Sequence, residues 1–223
     1  MPAPPILEQR KKTKSNDYRI KEVVERVRDD FKNKCYICEY KAPPTINVEH
    51  FIPHRGNRDL MFDWNNLYYA CGHCNNLKSH IYDDILNCLN PDDDVENRIH
   101  LKMEALPFKN VEVKARVNDS RTLKTKELLN LVYNGSTTIK TVEAQNLRKI
   151  LLYDLLNFQK KLFEYYELDE DDEDKVDIKK EITRHLKSSS AFTAFKRWII
   201  KDTNQYMEDF GYTFEAVQPS NIG

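Results

Sequence analysis

Cys35-Tyr36-Ile37-Cys38, then Val48-Glu49-His50-Phe51-Ile52-Pro53-His54, then Asn65-Asn66-Leu67-Tyr68-Tyr69-Ala70-Cys71-Gly72-His73-Cys74-Asn75-Asn76-Leu77-Lys78 follow one another in the first third of the chain. Two Cys-x-x-Cys pairs bracket a Glu-His dipeptide, and Asn75 and Lys78 close the stretch. Thiolates in such pairs suit tetrahedral zinc, because each pair presents two sulfurs on one tight turn. Cys35, Cys38, Cys71 and Cys74 together fill all the coordination positions and leave none for water, so the zinc they imply is structural. It would staple the turn before a first strand to the start of a helix. Paired cysteines also serve redox exchange, but two separate pairs outside a thioredoxin-like pattern favour the metal.

Working outward, Thr45–Phe51 reads as a short strand and Asn66–Cys71 as a second. A helix is expected from near Cys74, carrying Asn75, Lys78 and Ser79 and fading around Leu89-Asn90-Pro91. Pro91 followed by three aspartates marks a boundary. Upstream, Ile20, Val23, Val24, Val27 and Phe31 recur at helical spacing and predict an amphipathic helix over Arg19–Phe31. Residues 1–19, rich in proline and cations, read as a mobile arm. Downstream, residues 95–118 alternate in places, which predicts a strand or hairpin. Helix is expected from about Thr122, with a broad apolar stripe over Thr137–Glu167. The acidic run Leu168–Asp174 reads as a solvated loop, followed by helices over about 176–187 and 190–209. The fold class expected is α+β, mainly helical. It divides into an arm with a lead-in helix (1–34), a zinc-stapled unit (35–91) and a mostly helical C-terminal region (92–223).

Bulk properties narrow the function. The 223 residues are 40% hydrophobic and 32% charged, with a net charge of −1, so no general basic coat for nucleic acid is present. Five glycines and the lack of a phosphate-loop or dinucleotide fingerprint argue against a nucleotide-binding domain. Met1-Pro2-Ala3-Pro4-Pro5 has no apolar signal core, and the apolar run Ile150–Leu156 is broken by Asp154. The expected location is therefore the cytoplasm, without a membrane, where thiols stay reduced. Cys88 stands apart from the pairs and reads as a small buried apolar residue.

Glu49 and His50 alone say little, since neighbours on a regular strand point to opposite faces. Combined in order with Asn66, Asn75 and Lys78, they resemble the HNH endonucleases, a family built on the ββα-metal motif. The resemblance covers about residues 35–90. It implies His50 as the general base that activates water, Glu49 and Asn75 as ligands of a catalytic Mg2+ or Mn2+, and Asn66 as the residue steadying the loop behind the base. It places Lys78 near the phosphate and implies DNA as the usual substrate. The acidic position is usually aspartate, so Glu49 is a departure. His54 reads equally as a phosphate or metal contact and as a hydrogen-bonded loop residue. His73 and His80 are alternative ligands, and His100 and His185 are ordinary.

Order and length beyond this unit resemble the nuclease subunits of Septu anti-phage systems, which work with an ABC/SMC-like ATPase. That resemblance implies a partner for the helical half, where Tyr165, Tyr166, Phe192, Phe195, Trp198, Ile199, Ile200 and Tyr206 exceed what one helix pair buries. Two other readings remain open: a stand-alone HNH restriction-type nuclease, and a non-catalytic zinc-stapled DNA-binding or adaptor module.

Overall fold

The computed structural model describes residues 3–13, 17–104, 106, 109–169 and 171–214. Its centre is a two-stranded antiparallel ribbon of β1 (Ile46–His50) and β2 (Leu67–Cys71), with Val48 opposite Tyr69, Glu49 opposite Tyr68 and His50 opposite Leu67. All of β2 is buried, because both faces of the ribbon are covered. Val48, Leu67 and Tyr69 face one core with Val23 and Val27 of the amphipathic helix α2 (Lys21–Asp30), whereas Tyr68, Ala70 and Phe51 face a second, larger core.

The stretch read as a mobile arm instead forms α1 (Pro5–Lys12), and its Leu7 is fully buried in the first of these cores. One leucine with Pro4 and Pro5 before it was too weak a pattern to predict this. What secures α1 lies far along the chain: Arg58, on the one-turn helix α3 (Arg58–Met61), donates to the carbonyls of Arg10, Lys11 and Thr13.

The helix after the second cysteine pair, α4 (Gly72–Lys78), is shorter than expected. It stops at Ser79, whose φ of 49° is left-handed. The apolar residues beyond it, Tyr82, Ile85 and Leu86, are buried through an irregular segment. Its backbone groups bond side chains of α6 (Ser120–Asn134) instead: Leu86 N–H donates to Thr125 at 2.8 Å, and Arg121 donates to Ile85 O at 2.9 Å.

After α5 (Val95–Arg98), β3 (Ile99–Lys102) and β4 (Glu112–Ala115) pair antiparallel, as the alternation predicts. The C-terminal half is helical. Asp119 caps α6, accepting from the N–H groups of Arg121 and Thr122. Gly135, at φ 75°, turns the chain into α7 (Thr138–Glu167); a Cβ there would meet the Thr141 backbone at 2.6 Å, so only glycine fits. Then come α8 (Glu173–Leu186), α9 (Thr193–Lys201) and α10 (Asn204–Phe210), the last two replacing the single helix expected over 190–209 because the chain extends at Thr203. No helix among the described residues is long and apolar enough to cross a membrane. The fold is mainly helical α+β.

The aromatic excess of this half is mostly buried. Phe192, Phe195 and Trp198 join the larger core, Tyr165 and Ile200 fill a third cluster, and Ile199 and Tyr206 pack against these, because five helices share the burial rather than one pair. Tyr166 is left exposed. The exposed apolar side chains lie elsewhere, chiefly along α7.

Candidate functional site

The four paired cysteines converge. Cys35, Cys38, Cys71 and Cys74 are buried, and their sulfurs lie within 4.8 Å of one another. Local structure explains how. After Cys35, a turn brings the Glu39 N–H onto the Cys35 carbonyl, with Glu39 itself at positive φ. At the other end, Cys71 caps α4, its sulfur accepting from the Cys74 N–H at 3.4 Å. Burial raises the thiol pKa values of Cys38 and Cys74, while Cys71 is lowered because the other three thiols hydrogen-bond to its sulfur. A divalent cation removes this conflict by accepting four thiolates at once, so the donor set fits structural zinc. Among the described residues no other group of three or more His, Cys, Asp or Glu ligand atoms gathers in this way.

Glu49 and His50 leave β1 on opposite faces. Glu49 points into the larger core, where Oε1 pairs with Lys78 Nζ at 2.7 Å and the carboxylate also faces the buried Tyr36 hydroxyl, which favours its charged form. Burial raises its carboxyl pKa to about 7, with Lys78 opposing the rise. Lys78 is itself fully buried and also donates to the carbonyls of His50 at 3.2 Å and Phe51 at 2.9 Å. It ends α4, away from the helix's anion-favouring N-terminus, and its ammonium is committed to three oxygens of the protein. Asn75, one turn earlier on α4, is half-buried.

His50 faces the N-terminal core. Its Nε2 is 3.0 Å from the Met61 carbonyl, which makes that nitrogen the donor and leaves Nδ1 as the acceptor. Burial lowers its pKa, so the ring stays neutral at physiological pH. Tyr18 meets the ring edge-on at 4.5 Å, and His54 stands 4.6 Å away. Asn66, also buried, closes the loop between them: Oδ1 accepts from Ile52 N–H at 2.7 Å, and Nδ2 donates to the carbonyls of Ile52 and Leu60. The structure thus gathers His50, His54 and Asn66 on one side of the ribbon and Glu49 and Lys78 on the other.

The remaining histidines have local duties. His73 bonds Glu143 and the Val132 carbonyl, both at 2.8 Å, tying α4 to α6 and α7. His80 contacts Ser79, and His100 pairs with Asp202. Half-buried Cys88 packs against the larger core, its pKa raised by burial to about 12. Sequence reasoning missed Tyr18, Arg58 and the Met61 carbonyl. No pattern marks them, since each acts across a gap that only folding closes.

No protein-family model matches the chain. No solved structure matches it either. The chain spans less than half the length of the curated relative it matches. That relative is Septu protein PtuB of Bacillus thuringiensis, to which it is 31% identical over 118 residues, 50% of this chain and 45% of that protein. A mainly helical α+β chain with a zinc-capable four-cysteine centre, distantly similar to PtuB, is what the fold and the comparison together establish.

Proposed function

We propose that the chain is a metal-dependent HNH-type endonuclease that hydrolyses DNA phosphodiester bonds, and that it serves as the nuclease of a Septu-type defence complex with an ATPase partner. The observation that carries this reading is the state of His50. A buried neutral imidazole, anchored through Nε2 to the Met61 carbonyl, holds Nδ1 ready to take a proton from water. It stands at the end of a ribbon that the four cysteines would staple to a helix, the order of parts in the ββα-metal motif. The similarity to PtuB supports the defence-system setting.

Glu49 and Asn75 are the residues this reading assigns to a catalytic cation. They offer the oxygen donors that hard cations prefer, and the Glu49 carboxylate is held meanwhile by Lys78 and the buried Tyr36 hydroxyl. A cation held there would supply Lewis-acid chemistry to a phosphate on the His50 side only with the Glu49 carboxylate turned away from Lys78, since the two side chains leave β1 on opposite faces. Lys78 favours the charged form of Glu49, opposing the cost of burial. Asn66 holds the loop that carries His54, whose ring stands 4.6 Å from that of His50. Contact with phosphate falls to groups on the His50 side, His54 and Arg19, because Lys78 is enclosed. The helical region, residues 92–223, docks the ATPase, which brings a near-neutral nuclease to its DNA.

Plasmid cleavage with Mg2+ or Mn2+, with and without the ATPase, tests the reading. His50→Ala should abolish cleavage while zinc content, fold and ATPase co-purification persist. Unchanged cleavage would remove His50 from the base role and put His54 first.

A further inference from the structure

α7 buries one face against α6, α8 and α9, and its opposite face carries a row of apolar side chains that the described residues leave open. Ile139, Val142, Tyr153, Leu156 and Phe163 are 72%, 53%, 60%, 42% and 66% exposed. With the exposed Asn146, Lys149 and Lys160 they complete a row in which steps of three and four residues alternate, the seam spacing of a coiled coil. A row of this length, left open on a helix whose other face is packed, marks an interaction surface.

We propose that α7 pairs antiparallel with α7 of a second copy of this chain, about a two-fold axis level with Leu151. Reversal sets Ile139 against Phe163, Val142 against Lys160, Asn146 against Leu156 and Lys149 against Tyr153, each pair occurring twice by symmetry. Two of the three polar members of the row then meet suitable groups, Asn146 facing Leu156 at the solvated rim. Lys149 lies over the ring of Tyr153 of the second copy, a cation–π contact. Lys160 lays its aliphatic stem along Val142 while its ammonium keeps to Glu164 of its own helix. Parallel pairing would instead oppose Lys149 to Lys149 and Lys160 to Lys160. The row therefore complements its own reverse, which singles out a second copy as occupant. The inference rests on α7 alone and is independent of the nuclease reading.

Sedimentation velocity on the full zinc-loaded chain tests it. At high micromolar concentration the mass should be twice 26.5 kDa. Tyr153→Lys opposes lysine to Lys149 at both symmetry-related places and should raise the dissociation constant about tenfold or more. Tyr153→Glu offers Lys149 a carboxylate and should keep the dimer. Tyr153 is exposed, so neither change disturbs the core. A short thiol cross-linker should join two copies of Ile150→Cys, which lies next to the axis. It should not join Ile139→Cys, whose two copies lie about 36 Å apart along the seam. A monomer at every concentration overturns the proposal. So does equal dissociation by the lysine and glutamate variants, or cross-linking at residue 139.

Discussion

Replacing Lys78 by methionine separates two roles for this residue, a phosphate contact and an internal counter-ion. The side chain is fully buried, 2.7 Å from Glu49 and within hydrogen-bond reach of the His50 and Phe51 carbonyls. Methionine keeps most of the volume and removes the charge. Breaking a buried ion pair from one side costs about 3–5 kcal/mol, because the other charge is left uncompensated. Glu49 can escape part of that cost by taking up a proton. Its carboxyl is already raised from 4.5 to about 7, and losing Lys78 raises it further. A carboxyl raised on folding contributes stability below its unfolded value, and this is lost as pH rises through the folded value. In the native chain the loss is complete by slightly above pH 7. In Lys78→Met it continues to higher pH, at about 1.4 kcal/mol per unit. Urea unfolding followed by circular dichroism should therefore show a variant weakened moderately at pH 6 and by about 3 kcal/mol or more at pH 8. Adding Glu49→Gln should recover much of the loss at pH 8. A variant with native stability at both values that has lost only DNA affinity would refute the counter-ion role and return Lys78 to the phosphate.

Other expectations follow from the same geometry. Metal analysis of the purified protein should find about one tightly held zinc per chain, and Cys74→Ser should lose both the zinc and the fold; a folded, zinc-free native protein would end that reading. Asn66→Ala strips partners from one part-buried N–H and two carbonyls and should cost about 1–2 kcal/mol in urea unfolding, with slower cleavage as the loop to His54 loosens. Because burial lowers the His50 pKa below 6.5, its base form persists on mild acidification, so the cleavage rate should stay level from alkaline pH to below 6.5 before falling. Glu49→Ala should shift the divalent-ion requirement, with activity partly returning at high Mn2+.

Much of the chain was legible from local pattern. The paired cysteines, the strands on either side of Glu49-His50, the amphipathic period of α2 and the long stripe of α7 are short-range signals, and each element formed within a few residues of its expected bounds. The four cysteines could be taken as one centre from their paired spacing, since reduced thiols in two tight turns have few other uses. The split of the last predicted helix and the early stop of α4 were not legible, because tertiary bonds decide where those backbones turn. Thr125 and Arg121, on a helix far downstream, supply the hydrogen bonds that let residues after Ser79 abandon the helix.

Sequence by itself determined which residue types are present and at what intervals: four thiols for one metal, a histidine beside a carboxylate, a row of apolar residues every three or four positions. Tertiary structure alone decided what each side chain faces. It enclosed Lys78 against Glu49, docked α1 by means of Arg58, set Tyr18 over His50 and turned the aromatics of the last helices inward. The physical reason is that charge, hydrogen-bonding capacity and periodicity are properties of a residue and its neighbours in the chain. Burial and partnership depend on which distant segments fill the space beside it.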